Sequence, residues 1–300
     1  MSICLNVANR KELGDLTMAS NEDAENVTES KENFSFAAFA NAPFYQQINT
    51  DLVELSQVRP GQHVVDLACG TGGVTKIILE KLRGAKESLV IGVDLSNFAL
   101  KQAREELSNA KDAMVEFVLG HAEQLSHLIR DRVDAVVFCN AIHLVPDKEK
   151  LSAEVFSTLR SGGVFAFNTS FYEGGHPPET EQWYRRWMFR SIRILRSEYG
   201  LSPAKTQKVE ARQHLTVEQY TGLLKDRGFE IKEKRENTIQ VPLEGWVLIS
   251  QFEDWIIGVM PGVPLKEASE SLQKAAVQLF EEMKVNFVSR NWLEIVAVKP

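Results

Sequence analysis

A run of apolar β-formers, a turn of small residues and an amphipathic stretch form a unit that repeats through the middle of the chain. The run is His63–Leu67, the turn is Ala68-Cys69-Gly70-Thr71-Gly72-Gly73, and Val74, Ile77, Ile78 and Leu82 follow at helical spacing. A second strand, Val90–Val93, ends in Asp94, and Ser96 is set to cap a helix over Asn97–Leu107. Strand three is predicted at Val115–Leu119 and strand four at Ala135–Cys139. A helix over Lys148–Leu159 is expected to stop at Ser161-Gly162-Gly163, ahead of a fifth strand, Val164–Asn168. Strands alternating with helices predict an α/β fold, a Rossmann-like doubly wound sheet that is mostly parallel.

The flanks are less regular. Residues 1–33 are polar and acid-biased, with Glu22, Asp23 and Glu25 close together, and are expected to form a mobile tail. From Phe34 the character changes to Phe36, Phe39, Phe44 and Tyr45, and Pro43 opens a helix through Ile48, Leu52, Val53 and Leu55. Beyond the fifth strand, Glu179–Tyr199 reads as an amphipathic helix carrying Trp183, Tyr184, Trp187, Met188 and Phe189. Thr216 caps a helix that stops at Gly228, Phe229–Lys234 alternates as a strand, and Trp292–Val298 is a closing strand. Between them lie Trp246, Phe252, Trp255, Ile256 and Met260, then a helix over Lys266–Met283.

The turn after strand one reads D-x-A-x-G-x-G, from Asp66 through Ala68 and Gly70 to Gly72. It lacks the G-x-G-x-x-G spacing of a dinucleotide site, and no P-loop lysine follows its glycines. It resembles the first motif of the class I S-adenosylmethionine-dependent methyltransferases, with Ala68 where that pattern has its first glycine. The resemblance spans roughly residues 60–170 plus the closing strands, and is nearest to the small-molecule branch that contains the ubiquinone and menaquinone methyltransferases. It implies S-adenosyl-L-methionine as cofactor, held by Tyr45, Asp66, Ala68, Gly70, Gly72, Asp94, Leu95, His121, Ala122 and Asn140. Asp94 would receive the two ribose hydroxyls, which suits a carboxylate at the end of a second strand. His121 stands where relatives commonly carry the acid that receives the adenine amino group; a neutral imidazole can accept one such bond. The resemblance further implies that the last two strands form an antiparallel hairpin. The organisation is then a core at 34–170, a lid at 171–215, a return to the core at 216–239, a helical insertion at 240–288 that adds to the lid, and a closing strand at 289–300.

Composition narrows the partners. With 300 residues, 44% hydrophobic and 25% charged, the chain suits a globular protein with a sizeable core. A net charge of −7 argues against a nucleic-acid partner. No apolar run is long enough to span a membrane. The start has no secretory pattern, so a cytoplasmic protein is expected. Three scattered cysteines without a C-x-x-C pair predict neither a disulfide framework nor a metal site.

For methyl transfer from a sulfonium, an enzyme chiefly aligns donor and acceptor and keeps water out. His143, just past strand four, is the candidate general base, with His176 and His214 weaker ones. Asn140 is followed by Ala141-Ile142, so the N-P-P-Y/F motif of amino-methylating enzymes is absent. The aromatic segments after strand five are expected to build a lid over an apolar or aromatic small-molecule substrate, free or carrier-bound. The arginines between Arg185 and Arg196 are expected to form the solvated side of their helix. The expected activity is methylation of oxygen or carbon on a lipophilic or aromatic metabolite. A cofactor-binding enzyme catalysing a cyclisation, or a non-catalytic interaction module, are the alternatives.

Overall fold

The computed structural model describes residues 34–108, 113–204 and 214–300; the expected tail at 1–33 lies outside them. Helices α1 (Ala37–Ala40) and α2 (Pro43–Leu55) precede a run of β1 (His63–Leu67), α3 (Gly73–Lys81), β2 (Leu89–Asp94), α4 (Asn97–Glu106) and β3 (Met114–Leu119). Then come α5 (Leu125–Leu128), β4 (Val133–Cys139), α6 (Lys148–Thr158) and β5 (Leu159–Thr169). The chain leaves the core through α7 (Pro178–Tyr199), and returns through α8 (Val217–Arg227) to β6 (Glu230–Pro242). Helices α9 (Leu243–Ile249), α10 (Glu253–Val259) and α11 (Leu265–Met283) separate β6 from β7 (Phe287–Val298).

The seven strands form one sheet in the order β3-β2-β1-β4-β5-β7-β6. The first five strands pair in parallel, and β7 runs antiparallel to both of its neighbours. Because side chains alternate across a strand, Val64 and Val90 pack on one face of the sheet while Val65, Leu67 and Val93 pack on the other. Both faces are covered, as a parallel sheet requires. A third apolar cluster joins Trp183 and Trp187 of α7, Trp246 of α9 and Leu272 of α11 to Trp292 of β7. Within it α7 lies on α11, and the Trp187 indole donates to the Leu272 carbonyl at 2.9 Å. No helix among the described residues is long and apolar enough to cross a membrane.

Two sequence-based expectations need correction. The glycines after α6 do not stop a helix, since α6 ends at Thr158 and the chain turns extended at Leu159. Gly162, at φ +76, lies in an irregular start to β5. There its N–H donates to the Lys299 carbonyl at 2.7 Å, and the Lys299 N–H donates to Gly163 at 2.9 Å. The terminal hairpin is also longer than the alternation at Phe229–Lys234 and Trp292–Val298 predicts. Its pairing runs from Glu230 opposite Val298 to Pro242 opposite Phe287, which narrows the helical insertion to 243–286.

Gly92, in β2 beneath the glycine turn, allows a close approach. A Cβ there would meet the Phe117 ring at 2.7 Å and the Cys69 sulfur at 2.9 Å. Gly92→Ala is therefore expected to cost about 1–3 kcal/mol of stability through overpacking. Denaturant unfolding measures it, and an unchanged midpoint would show that the ring moves aside freely.

Candidate active site

The turn after β1 has left-handed backbone at alternate positions: Ala68 at φ 55, Gly70 at φ 54 and Gly72 at φ 89. Small residues suit such a turn because a bulky Cβ is disfavoured there, and Ala68 bears the cost that a glycine would avoid. Asp94 fixes the turn to the end of β2. Its Oδ2 accepts from the Gly70 N–H at 2.8 Å, and its Oδ1 accepts from the Ser96 N–H at 2.8 Å. The Cys69 N–H adds a bond to the Val93 carbonyl at 3.1 Å. Gly72 caps α3 and turns inward, where a Cβ would meet Leu107 at 3.0 Å and Ala103 at 3.3 Å.

Gly70 turns the other way, and a Cβ placed on it meets nothing within 4 Å. Beside this opening, Leu95 is 70% exposed at the end of β2. His121 and Ala122 follow the end of β3, the next strand, with His121 exposed and Ala122 half-buried. An open backbone cradle, a carboxylate with unused lone pairs and an uncovered apolar side chain fit a nucleoside with a polar tail. Asp66 is different. It is buried beneath the turn, where the Thr75 hydroxyl donates to its Oδ2 at 2.6 Å. Burial pushes the Asp66 carboxyl up to about 7, although the Thr75 bond opposes the shift.

A polar chain joins α2 to the carboxyl ends of β4 and β5. Asn140, at φ 47, accepts from the Ser170 N–H at 2.9 Å, and its own N–H is 2.8 Å from the Asn168 side-chain oxygen. Asn168 donates in turn to Asn49 at 3.2 Å. Tyr45 is buried, its hydroxyl is bonded to Asn49 and Asn140, and burial holds its pKa above the ordinary phenol value. Tyr45 and Asn140 thus stand together, with the glycine turn across β1.

A small, partly open cavity lies against Asn140 and Ser170. Six rings line it: Phe39, Phe171, Tyr184, Trp246, Trp255 and Trp292. Trp183 and Trp187 are buried in the third apolar cluster away from the cavity, while Trp246 and Trp292 belong to that cluster and also line the cavity. His143, in the turn after β4, is buried and stacks on Phe171 with ring centroids 4.0 Å apart. It borders the cavity through that ring. His176 is pushed down to about 3, chiefly by burial and then by the charge of Arg290, so it is uncharged at neutral pH. Arg185 pairs with Glu181 at 2.7 Å, while Arg186 and Arg190 both reach Glu282, in keeping with a solvated helix face.

One lining residue did not emerge from the sequence patterns. Arg290 on β7 is only 5% exposed and donates to the Ser170 carbonyl at 2.9 Å and to the Tyr184 hydroxyl. A signal was present, because Val288, Arg290 and Trp292 alternate onto one buried face, where a charge is out of place.

The family profile described as methyltransferase domain matches residues 59–228, more than half of the chain. The chain belongs to the class I S-adenosylmethionine-dependent methyltransferase family. It is similar to a Saccharomyces cerevisiae protein named a probable S-adenosylmethionine-dependent methyltransferase, 35% identical over 35% of this chain and 34% of that protein. A demethylmenaquinone methyltransferase of Symbiobacterium thermophilum is 30% identical over 40% of this chain and 47% of that protein. The chain thus spans less than half the length of these two curated relatives. In structure it resembles phosphoethanolamine N-methyltransferase 2 of Haemonchus contortus, solved with phosphomonomethylethanolamine and S-adenosylhomocysteine. There the TM-score is 0.53 at 19% identity, over 85% of this chain and 52% of that one, a likeness of fold alone.

Asp94→Ala is expected to weaken S-adenosylhomocysteine binding about tenfold or more, since a charged hydrogen bond is worth about 1.5–3 kcal/mol. Calorimetry reads this, and unchanged affinity would remove Asp94 from the site. A second expectation concerns pH. Burial pushes Glu294 up to about 7, as it does Asp66. Unfolding returns both to the ordinary range near 4, so between about 4 and 7 the folded chain binds more protons than the unfolded one. Their contribution to the stability of the ligand-free protein is full below that window and is lost as pH rises through 7. Asp66→Asn should flatten part of this slope in unfolding measured from pH 5 to 8; an unaltered slope would contradict it.

Proposed function

We propose that this chain transfers a methyl group from S-adenosyl-L-methionine to oxygen or carbon of a lipophilic or aromatic small molecule. The observation that carries this is the aromatic cavity at the ends of β4 and β5, on the same edge of the sheet as the glycine turn. Support for a lipophilic acceptor also comes from the similarity to a demethylmenaquinone methyltransferase. When bound, the cofactor supplies an electrophilic methyl group on a sulfonium.

The chain's own residues hold, orient and exclude. The open backbone at Gly70, the small side chains of Ala68 and Gly72, and the Asp94 carboxylate are the proposed cradle of the cofactor. Leu95, His121 and Ala122 are the proposed seat of its base. Tyr45, Asp66 and Asn140 are the proposed groups about its amino-acid end, with Asp66 acting from beneath the turn through Thr75. The rings of the lid keep water from the acceptor, which strengthens every polar contact inside. His143 is the proposed base for an acceptor that must lose a proton, a role that requires the Phe171 ring stacked on it to turn aside.

The activity is tested by following S-adenosylhomocysteine release with a panel of quinols, phenols and long-chain apolar acceptors. Turnover of a panel member is expected; cofactor binding without turnover across the panel would contradict the proposed acceptor class. With an accepted substrate, His143→Gln should lower turnover about a hundredfold or more and remove the acidic limb of the pH–rate profile, while leaving cofactor affinity unchanged. Wild-type turnover with an intact profile would leave His143 a packing role.

A further inference from the structure

Arg290 is a buried charge without an acidic partner. No ion pair joins it to a carboxylate among the described residues. Its bonds to the Ser170 carbonyl and the Tyr184 hydroxyl are made by two nitrogens, and the guanidinium carries five N–H donors. It lies over the Phe171 ring at 4.8 Å and the Tyr184 ring at 5.8 Å, both walls of the cavity. The Tyr184 hydroxyl does not neutralise it, since burial pushes that phenol up to about 12. Glu236 on the adjoining strand accepts from the Tyr172 hydroxyl at 2.7 Å and forms no ion pair with Arg290. Burying a cation in such surroundings is costly unless something of opposite charge meets it.

The rest of the cavity repeats the imbalance. The indole N–H groups of Trp246, Trp255 and Trp292, all lining residues, are buried without an acceptor. Asn140, the lining residue with a side-chain carbonyl, already accepts from Ser170. The wall is thus rich in donors and poor in acceptors, with one positive charge set among rings.

We propose that the acceptor is an organic acid whose carboxylate docks on the Arg290 guanidinium while its apolar or aromatic body fills the space between the tryptophans. The proposal deepens the methyltransferase assignment above and rests on it. A carboxylate fits better than a phosphate, because one guanidinium matches one negative charge and no second cation among the described residues lines the cavity. The bonds to Ser170 and Tyr184 hold the guanidinium in place for this, tying α7 of the lid to the end of β5.

The test uses the full chain saturated with S-adenosylhomocysteine, with binding read from tryptophan fluorescence. The probes are decanoate against decanamide, and 3-phenylpropanoate against 3-phenylpropanamide. At least one acid is expected to bind about tenfold or more tighter than its amide. Arg290→Met should abolish that preference and Arg290→Lys should retain part of it. Trp292→Phe removes an indole N–H at unchanged charge, and is expected to weaken the acid more than the amide; it keeps the test open if Arg290→Met does not fold. Equal binding of acid and amide, no binding of either acid, or a preference that survives Arg290→Met would each overturn the proposal. Failure of the wild type to bind S-adenosylhomocysteine is a different outcome, and would remove the methyltransferase assignment itself.

Discussion

The Asp94 carboxylate, held between the backbone amides of Gly70 and Ser96, is the contact on which the site depends. One oxygen pins the turn after β1, and the other orders the entry to α4. Three alternate residues of that turn, Ala68, Gly70 and Gly72, have left-handed backbone. A charged acceptor shared by two amides offsets part of the cost of such a turn. The same oxygens keep lone pairs for a ligand, so the group that shapes the cradle is also the group proposed to meet its occupant. Each inward side of the arrangement is filled, by Leu107 and Ala103 against Gly72 and by Phe117 against Gly92, while the Gly70 side is open.

The proposed acceptor side is built on a different principle. Its frame is a chain of amide side chains, Asn49, Asn168 and Asn140, that fixes α2 to the ends of β4 and β5. Over this frame the lid contributes rings rather than charges, and closes with its own apolar core. Arg290 is the exception. It crosses from β7 to Ser170 and Tyr184, and so couples the lid to the strand end where the acceptor would lie.

The parallel core was legible because each strand is a short apolar run ended by an acid, an asparagine or a glycine turn. Strand β1 begins and ends where the pattern placed it, and β2 and β3 differ by one residue at their starts. The cap at Thr216 and the glycine stop at Gly228 were equally plain. The outer hairpin was not. Its edge strand carries Lys232, Glu233, Lys234, Arg235 and Glu236, so half of β6 has no apolar alternation to report its length. Gly162 and Gly163 look like a helix stop in sequence, and only the pairing with Lys299 reveals a bend at the start of β5. Asp94 was found as a ligand candidate, but its bond to the Gly70 amide spans 24 residues and leaves no local pattern. Arg290 was missed for a related reason, since it sits in the part of β7 beyond the predicted strand.

The turn from Ala68 to Gly72 and Asp94 together form the proposed S-adenosylmethionine site. A calorimetric titration of the purified chain with S-adenosylhomocysteine, after removal of any co-purified ligand, tests it most directly. One site per chain with micromolar affinity is expected. An empty, folded protein that releases no heat and gains no thermal stability from the ligand would contradict it.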